Sequence, residues 1–184
     1  MLKKISLLII LFIVTSSYAQ VFPLTASELP QNSYRKDTQN QLTSFEGNWK
    51  GTWNGKTFLI NFKKLTNVYD NSLKIWSDHL IGKFQVKDSS GNVLFDNLSI
   101  SDIDAKIVGG KIFSSGVYSL IYADPELCNK GGFLKINFVD STKMQLRLKF
   151  AELSNLIESD CFYHGKPADQ RPEPIPKDIV LTKQ

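Results

Sequence analysis

Histidine, methionine and cysteine are scarce in this chain, with two of each among 184 residues. The histidines, His79 and His164, lie far apart, and neither belongs to a nucleophile or metal signature. The sequence contains no Gly-x-Ser-x-Gly elbow, no His-Glu-x-x-His pair and no glycine-rich phosphate loop, so the commonest hydrolase, zinc-protease and nucleotide-binding patterns are missing. Charge of one sign is lacking too: lysines fall one or two per strand instead of clustering in the stripe a nucleic-acid binder presents. The one sustained apolar run, Ile5 to Val14, is short for ~30 Å of hydrocarbon. No internal repeat and no low-complexity tract is present. These absences leave no cofactor and no nucleic-acid partner to expect.

What is present begins with an export signal. Lys3 and Lys4 precede the apolar run, and Thr15-Ser16-Ser17-Tyr18-Ala19 follows it, with small side chains at the −3 and −1 positions (Ser17 and Ala19). Residues 1–19 therefore read as a cleavable signal peptide and Gln20 as the first mature residue. No cysteine stands at the cleavage point, so the product is expected to be periplasmic or extracellular and not a lipoprotein. Loss of Lys3 and Lys4 lowers the formal charge from +4 to +2, twenty basic residues then facing eighteen acidic ones.

Residues 20–32, with Pro23 and Pro30, read as a tether without a core of its own. Residues 33–184 read as a single domain. Ser33 is expected to cap a short helix that places Tyr34, Thr38, Leu42 and Phe45 on one face. After Gly47 the period becomes two. Phe58, Ile60 and Phe62 alternate with Thr57, Asn61 and Lys63, and Met144, Leu146, Leu148 and Phe150 alternate with Lys143, Gln145, Arg147 and Lys149. Similar runs are Leu80–Val86, Val93–Leu98, Val117–Tyr122, Phe133–Val139 and Ile179–Thr182. Asn54-Gly55, Ser90-Gly91-Asn92, Gly109-Gly110 and Asp140-Ser141 supply turn signals between them. Ala151–Ser159, with Leu153, Leu156 and Ile157, reads as a two-turn helix or covering loop. Lys166–Lys177, with four prolines, reads as an extended connection. The fold class is all-β: an antiparallel up-and-down barrel of eight to ten strands with a short N-terminal helix.

Cys128 and Cys161 follow an export signal, so a disulfide is the direct inference. The alternative, a metal site of Cys128, Cys161, His164 and a carboxylate such as Asp160, needs reduced thiols in an oxidising compartment. Trp49, Gly51 and Trp53 share one strand face. They read as packing at one end of the barrel, the glycine leaving room for the indoles, or as a stacking platform for a ligand. Asp102 with Asp104, or Glu152 with Glu158, could form the carboxylate pair of a glycoside hydrolase, but such pairs arise by chance among eighteen acids and surface solvation is the better explanation. Asp88-Ser89-Ser90-Gly91-Asn92 lacks the distal carboxylate of a cation loop and reads as a hairpin turn.

The stretches Pro30-Gln31-Asn32-Ser33-Tyr34 with Lys36-Asp37 and Asn40, Gly47-x-Trp49-Lys50, Asn54-Gly55-Lys56-Thr57, Asp78-x-Leu80, Val86-Lys87-Asp88-Ser89-x-Gly91-Asn92 and Ile179–Gln184 occur in that order. On them the chain resembles an uncharacterised family of small exported proteins of flavobacteria-type bacteria, a domain of unknown function. The resemblance brings no activity with it. A helix, then Gly-x-Trp, then an antiparallel meander is more distantly similar to the lipocalin or calycin pattern. That likeness implies an arginine on a late strand covering the tryptophan, for which Arg147 is the nearest residue.

Three functions follow in order of expectation. The first is a non-catalytic structural or protein-interaction module of the cell envelope, a monomer that makes contacts through its N-terminal segment and proline-rich connection. The second is a lipocalin-like barrel holding a small apolar ligand or a glycan in a cavity near Trp49, Trp53, Phe58, Ile60 and Phe62. The third is a hydrolase with a titratable pair in a cleft.

Overall fold

Residues 19–153, 159–167 and 170–184 are described by a computed structural model. The expected signal peptide 1–19, apart from Ala19, and residues 154–158 of the stretch expected as a two-turn helix or covering loop, with Leu156, Ile157 and Glu158, lie outside the described residues.

The period-two runs become strands. In chain order these are β1 (Val21–Pro23), β2 (Tyr34–Lys36), β3 (Gly47–Trp53), β4 (Lys56–Asp70), β5 (Ile75–Lys87), β6 (Val93–Asp96), β7 (Ile107–Ile112), β8 (Tyr118–Asp124), β9 (Lys130–Phe138), β10 (Gln145–Glu152) and β11 (Asp178–Lys183). Helical structure among the described residues is limited to 3₁₀ turns, including Leu42–Phe45.

Antiparallel neighbours follow the order β5-β4-β3-β11-β10-β9-β8-β7. The circuit closes where β7 returns to β5 through Ile81 opposite Val108 and Gly82 opposite Ile107. The result is an eight-stranded closed antiparallel barrel. Three short strands hang on β5. β6 pairs its lower part antiparallel, and β2 pairs its upper part in parallel, with β1 parallel to β2.

Register explains why the alternation is clean. Trp49, Ile60 and Phe84 are cross-strand partners, as are Gly51, Phe58 and Val86, and Gly47, Phe62 and Gly82. Each row turns inward, and every one of its large side chains is fully buried. Burying one such side chain contributes roughly 1.5–3 kcal/mol, and a one-residue slip would turn a whole row out to water.

Glycine makes two of the close approaches possible. A Cβ on Gly51 would lie 2.7 Å from the Val180 carbonyl oxygen, so this glycine seats β11 beside β3 and does not make room for the indoles. A Cβ on Gly109 would lie 2.0 Å from the Tyr118 hydroxyl and 2.9 Å from the Leu80 carbonyl oxygen. Gly109-Gly110, expected as a turn, instead lies inside β7 at an irregular register. The other turn signals hold: Asn54 and Gly55 both have positive φ between β3 and β4, and the Asp88 carboxylate accepts the N–H groups of Ser90 and Asn92 between β5 and β6.

The N-terminal segment departs most from the sequence reading. β4 and β5 outrun the barrel, and β5 above Ile81 loses β7 as its neighbour. Its open edge is taken by Tyr34 and Arg35, so residues 34–36 form a strand in place of the expected helix. Only Leu42–Phe45 coils, after Asp37 accepts the N–H groups of Gln41 and Leu42. The tether is not without a core: Leu24 is fully buried, and its carbonyl accepts the N–H of Ile112 in β7. The segment therefore wedges between β5 and β7 where the barrel seam would otherwise open.

Candidate functional site

The residues expected to line a ligand cavity lie in the packed interior. Trp49, Phe58, Ile60 and Phe62 are fully buried, and Trp53 packs against them. A chain of ring contacts crosses the barrel from Trp53 to Phe58 (5.9 Å between centroids), Phe84 (5.7 Å), Tyr122 (6.1 Å) and Phe150 (5.8 Å). At the upper end Phe45 stacks on Phe138 at 4.5 Å and on Tyr118 at 6.0 Å, and the Trp49 indole N–H donates to the Phe45 carbonyl at 2.8 Å. The 3₁₀ turn is thus a plug set into the mouth. Edge-to-face and offset contacts of this kind add roughly 0.5–1.5 kcal/mol each beyond area burial. Arg147 does not cover Trp49. Its guanidinium points outward to Asp178 in a two-bond fork (2.8 and 2.6 Å), and Lys183 lies over the indole at 5.3 Å.

Around the plug, residues from three separate stretches converge on two buried carboxylates. The Tyr34 hydroxyl donates to Asp78 Oδ1 at 2.5 Å, the Asp37 N–H to Asp78 Oδ2 at 3.0 Å, and the Asn67 N–H to Asp78 Oδ1 at 3.0 Å. Lys64 Nζ bridges Asp37 (2.7 Å) and Asn40 (3.2 Å). Burial pushes the Asp78 carboxyl up. The bonds from Tyr34 and the two N–H groups, with the charge of Lys64, outweigh it and hold Asp78 below the usual carboxylate range. Burial and the same bond push Tyr34 up to about 12. Every oxygen in this network has a partner, so it fastens the N-terminal segment to β4 and β5. Sequence spacing hid the network, although Tyr34, Lys36-Asp37, Asn40 and Asp78 are among the residues that carry the family resemblance.

The remaining titratable groups are engaged elsewhere. Asp102 is bound by Lys63 (2.5 Å) and Lys83 (2.8 Å), which hold its carboxyl low, while Asp104 accepts the Ser101 hydroxyl. Glu152 pairs with Lys130. Cys128 and Cys161 form a disulfide with 5.8 Å between Cα atoms, so their thiols are not free to ligate. The imidazole of His79 sits 3.0 Å from the Ser77 hydroxyl, but Ser77 is buried, and burial and then Arg35 push His79 toward its neutral form.

Two features face outward. A groove of about 380 Å³ lies against the outer face of β3, β4 and β5, with Asn48, Asn61, Lys63 and Lys83 on the sheet and Leu98 and Asp102 opposite. Above the mouth, one cross-strand row runs Val21, Tyr34, Trp76, Tyr69 over four strands. Trp76 and Tyr69 are 38% and 37% exposed, with ring centroids 5.0 Å apart. Sequence reading missed this row because β1 and β2 were not legible as strands. The proline-rich connection presents less than expected, since Pro174, Ile175 and Pro176 are buried against the lower end.

A family model described as a family of unknown function, DUF6705, matches residues 1–184. The chain belongs to DUF6705. No curated protein and no solved structure matches it. The DUF6705 chain has no helix, among its described residues, that is long and apolar enough to cross a membrane.

Proposed function

We propose that this DUF6705 protein is an exported, non-catalytic recognition module of the cell envelope that meets a protein partner with its outer surface. The observation that carries this reading is the row Val21, Tyr34, Trp76, Tyr69: aromatic area left in water on a sheet face while the barrel's own rings occupy its interior. Large aromatic side chains are the residues most often found as interface anchors. The row is small against the ~800 Å² per partner of a standard interface, so the contact it supports is a transient one. The edge of β1 is not the contact, because a three-residue strand ending in Pro23 is poorly suited to accept another strand. A non-catalytic role is supported by the engagement of Asp37, Asp78, Asp102 and Glu152 and by the burial of the Ser77–His79 pair.

A second reading, lipocalin-like carriage of a small apolar ligand or glycan, is favoured by the closed antiparallel barrel opening on Gly-x-Trp. One preparation separates the two. Protein purified from its own cells is weighed by native mass spectrometry, then tested for co-sedimentation with washed cell envelopes as wild type and as the Trp76→Ala/Tyr69→Ala double variant. A bare mass starting at Gln20, with retention lost in the variant, is the expected result. A mass excess shed on denaturation favours the carrier, and equal retention of the two proteins overturns the role of the row.

A further inference from the structure

β2 and β5 enclose a surplus of hydrogen-bond donors. Arg35 is 8% exposed, and its Nε–H is buried without a partner; Ser33, just before β2 and 1% exposed, has a buried hydroxyl that is also unpartnered. Arg35 lies directly opposite Ser77, and Ser77 holds the Nδ1 of His79 at 3.0 Å. The negative charge of Asp70 attracts Arg35 but makes no ion pair with it; one of its oxygens is occupied by the N–H groups of Ser72 and Leu73. Tyr118, which also couples to Arg35, brings a further hydroxyl to the seam. An arginine Nε–H removed from water without an acceptor is a costly arrangement in a protein interior. What the cluster lacks is one negatively charged acceptor.

We infer that Arg35 and Ser33 form a binding site for a single carboxylate group. The planar fork of arginine matches a carboxylate through two parallel N–H···O bonds, and the Ser33 hydroxyl supplies a third donor. One negative charge balances the one guanidinium. Neutral His79 beside it adds no second cation, so the site suits a carboxylate better than a doubly charged phosphate. This inference does not depend on the aromatic row.

The test is thermal unfolding of the intact mature protein in sodium acetate against sodium chloride at matched ionic strength. Wild type is expected to gain roughly 5–10 °C when acetate exceeds its Kd about a hundredfold, and chloride to give far less. Arg35→Met is expected to lose the acetate response while folding at least as stably in chloride, and Ser33→Ala to bind acetate severalfold more weakly. The Arg35 Nε–H resonance of the wild type, followed by NMR during the titration, reports the same event without any variant. Acetyl-glycyl-alanine tested as free acid and as amide separates the sources: a free acid more potent than acetate, with an inert amide, points to a chain terminus, and equal potency of acid and acetate to a small free carboxylate. Equal responses to acetate and chloride, or an acetate response unchanged in Arg35→Met, would overturn the site.

Discussion

Asp78→Ala removes the acceptor on which Tyr34, Asp37 and Asn67 converge. The Asp37 N–H is then a buried donor without a partner, costing ~1–3 kcal/mol. The two part-buried bonds to a charged acceptor are each worth about 1.5 kcal/mol once water takes over part of their role. A loss of roughly 4–6 kcal/mol follows, which for a chain of this size corresponds to a fall in Tm of roughly 8–24 °C. The loss also carries a pH signature. The folded-state pKa of Asp78 is depressed, so its carboxylate contributes stability that is fully present above the unfolded value of about 3.9 and disappears as pH falls through the folded value. Urea unfolding followed by tryptophan fluorescence, run on wild type and variant at pH 7 and at successively lower pH, measures both effects. The gap between the curves should be widest at neutral pH and close under acid. A gap below about 1 kcal/mol at pH 7, or one that ignores pH, would show that the network does not fasten the plug.

Three further outcomes are expected. Gly109→Ala should destabilise by about 1–3 kcal/mol or more, because its Cβ meets the Tyr118 hydroxyl and the Leu80 carbonyl; adding Tyr118→Phe should restore part of the loss in the same urea assay. Reducing the Cys128–Cys161 bond, or replacing both cysteines by alanine, should lower stability by roughly 3–4 kcal/mol in the chain-entropy account of the loop it closes, read by calorimetry with and without reductant. Trp76→Phe should lower the acrylamide-quenchable fluorescence, since Trp49 is fully buried and Trp53 is partly covered by the core, and unchanged quenching would contradict the exposed aromatic row.

Most barrel strands were legible because one face lies in the core and the other in water, a condition that writes itself into sequence as a period of two; β5, buried on both faces from Ser77 to Gly82, is the exception. Leu146, Leu148 and Phe150 in β10 are the clearest case. Cys128 and Cys161 were legible through compartment chemistry alone. The helix expected from Ser33 failed because the spacing of Tyr34, Thr38, Leu42 and Phe45 competes with a tertiary demand, the unpaired upper edge of β5. Gly109-Gly110 looks like a turn because sequence cannot show a tyrosine hydroxyl arriving from the next strand. The Asp37–Asp78 network and the aromatic row share one obstacle: their members come from strands far apart in the chain, and only the register brings them together.

The pairing of β3 with β11 also has a consequence in time. β3 is among the first barrel strands to be made, yet its second neighbour is the last, with Lys183 opposite Trp49 and the Gln184 N–H bound to the Asn48 carbonyl. Contacts this distant in sequence make closure slow, and no hairpin formed earlier can substitute for it. The ring therefore stays open until β11 is available to pair with β3. On the proposal that this protein is exported, such delayed closure would keep the threading chain passable and leave the ring to shut on the far side.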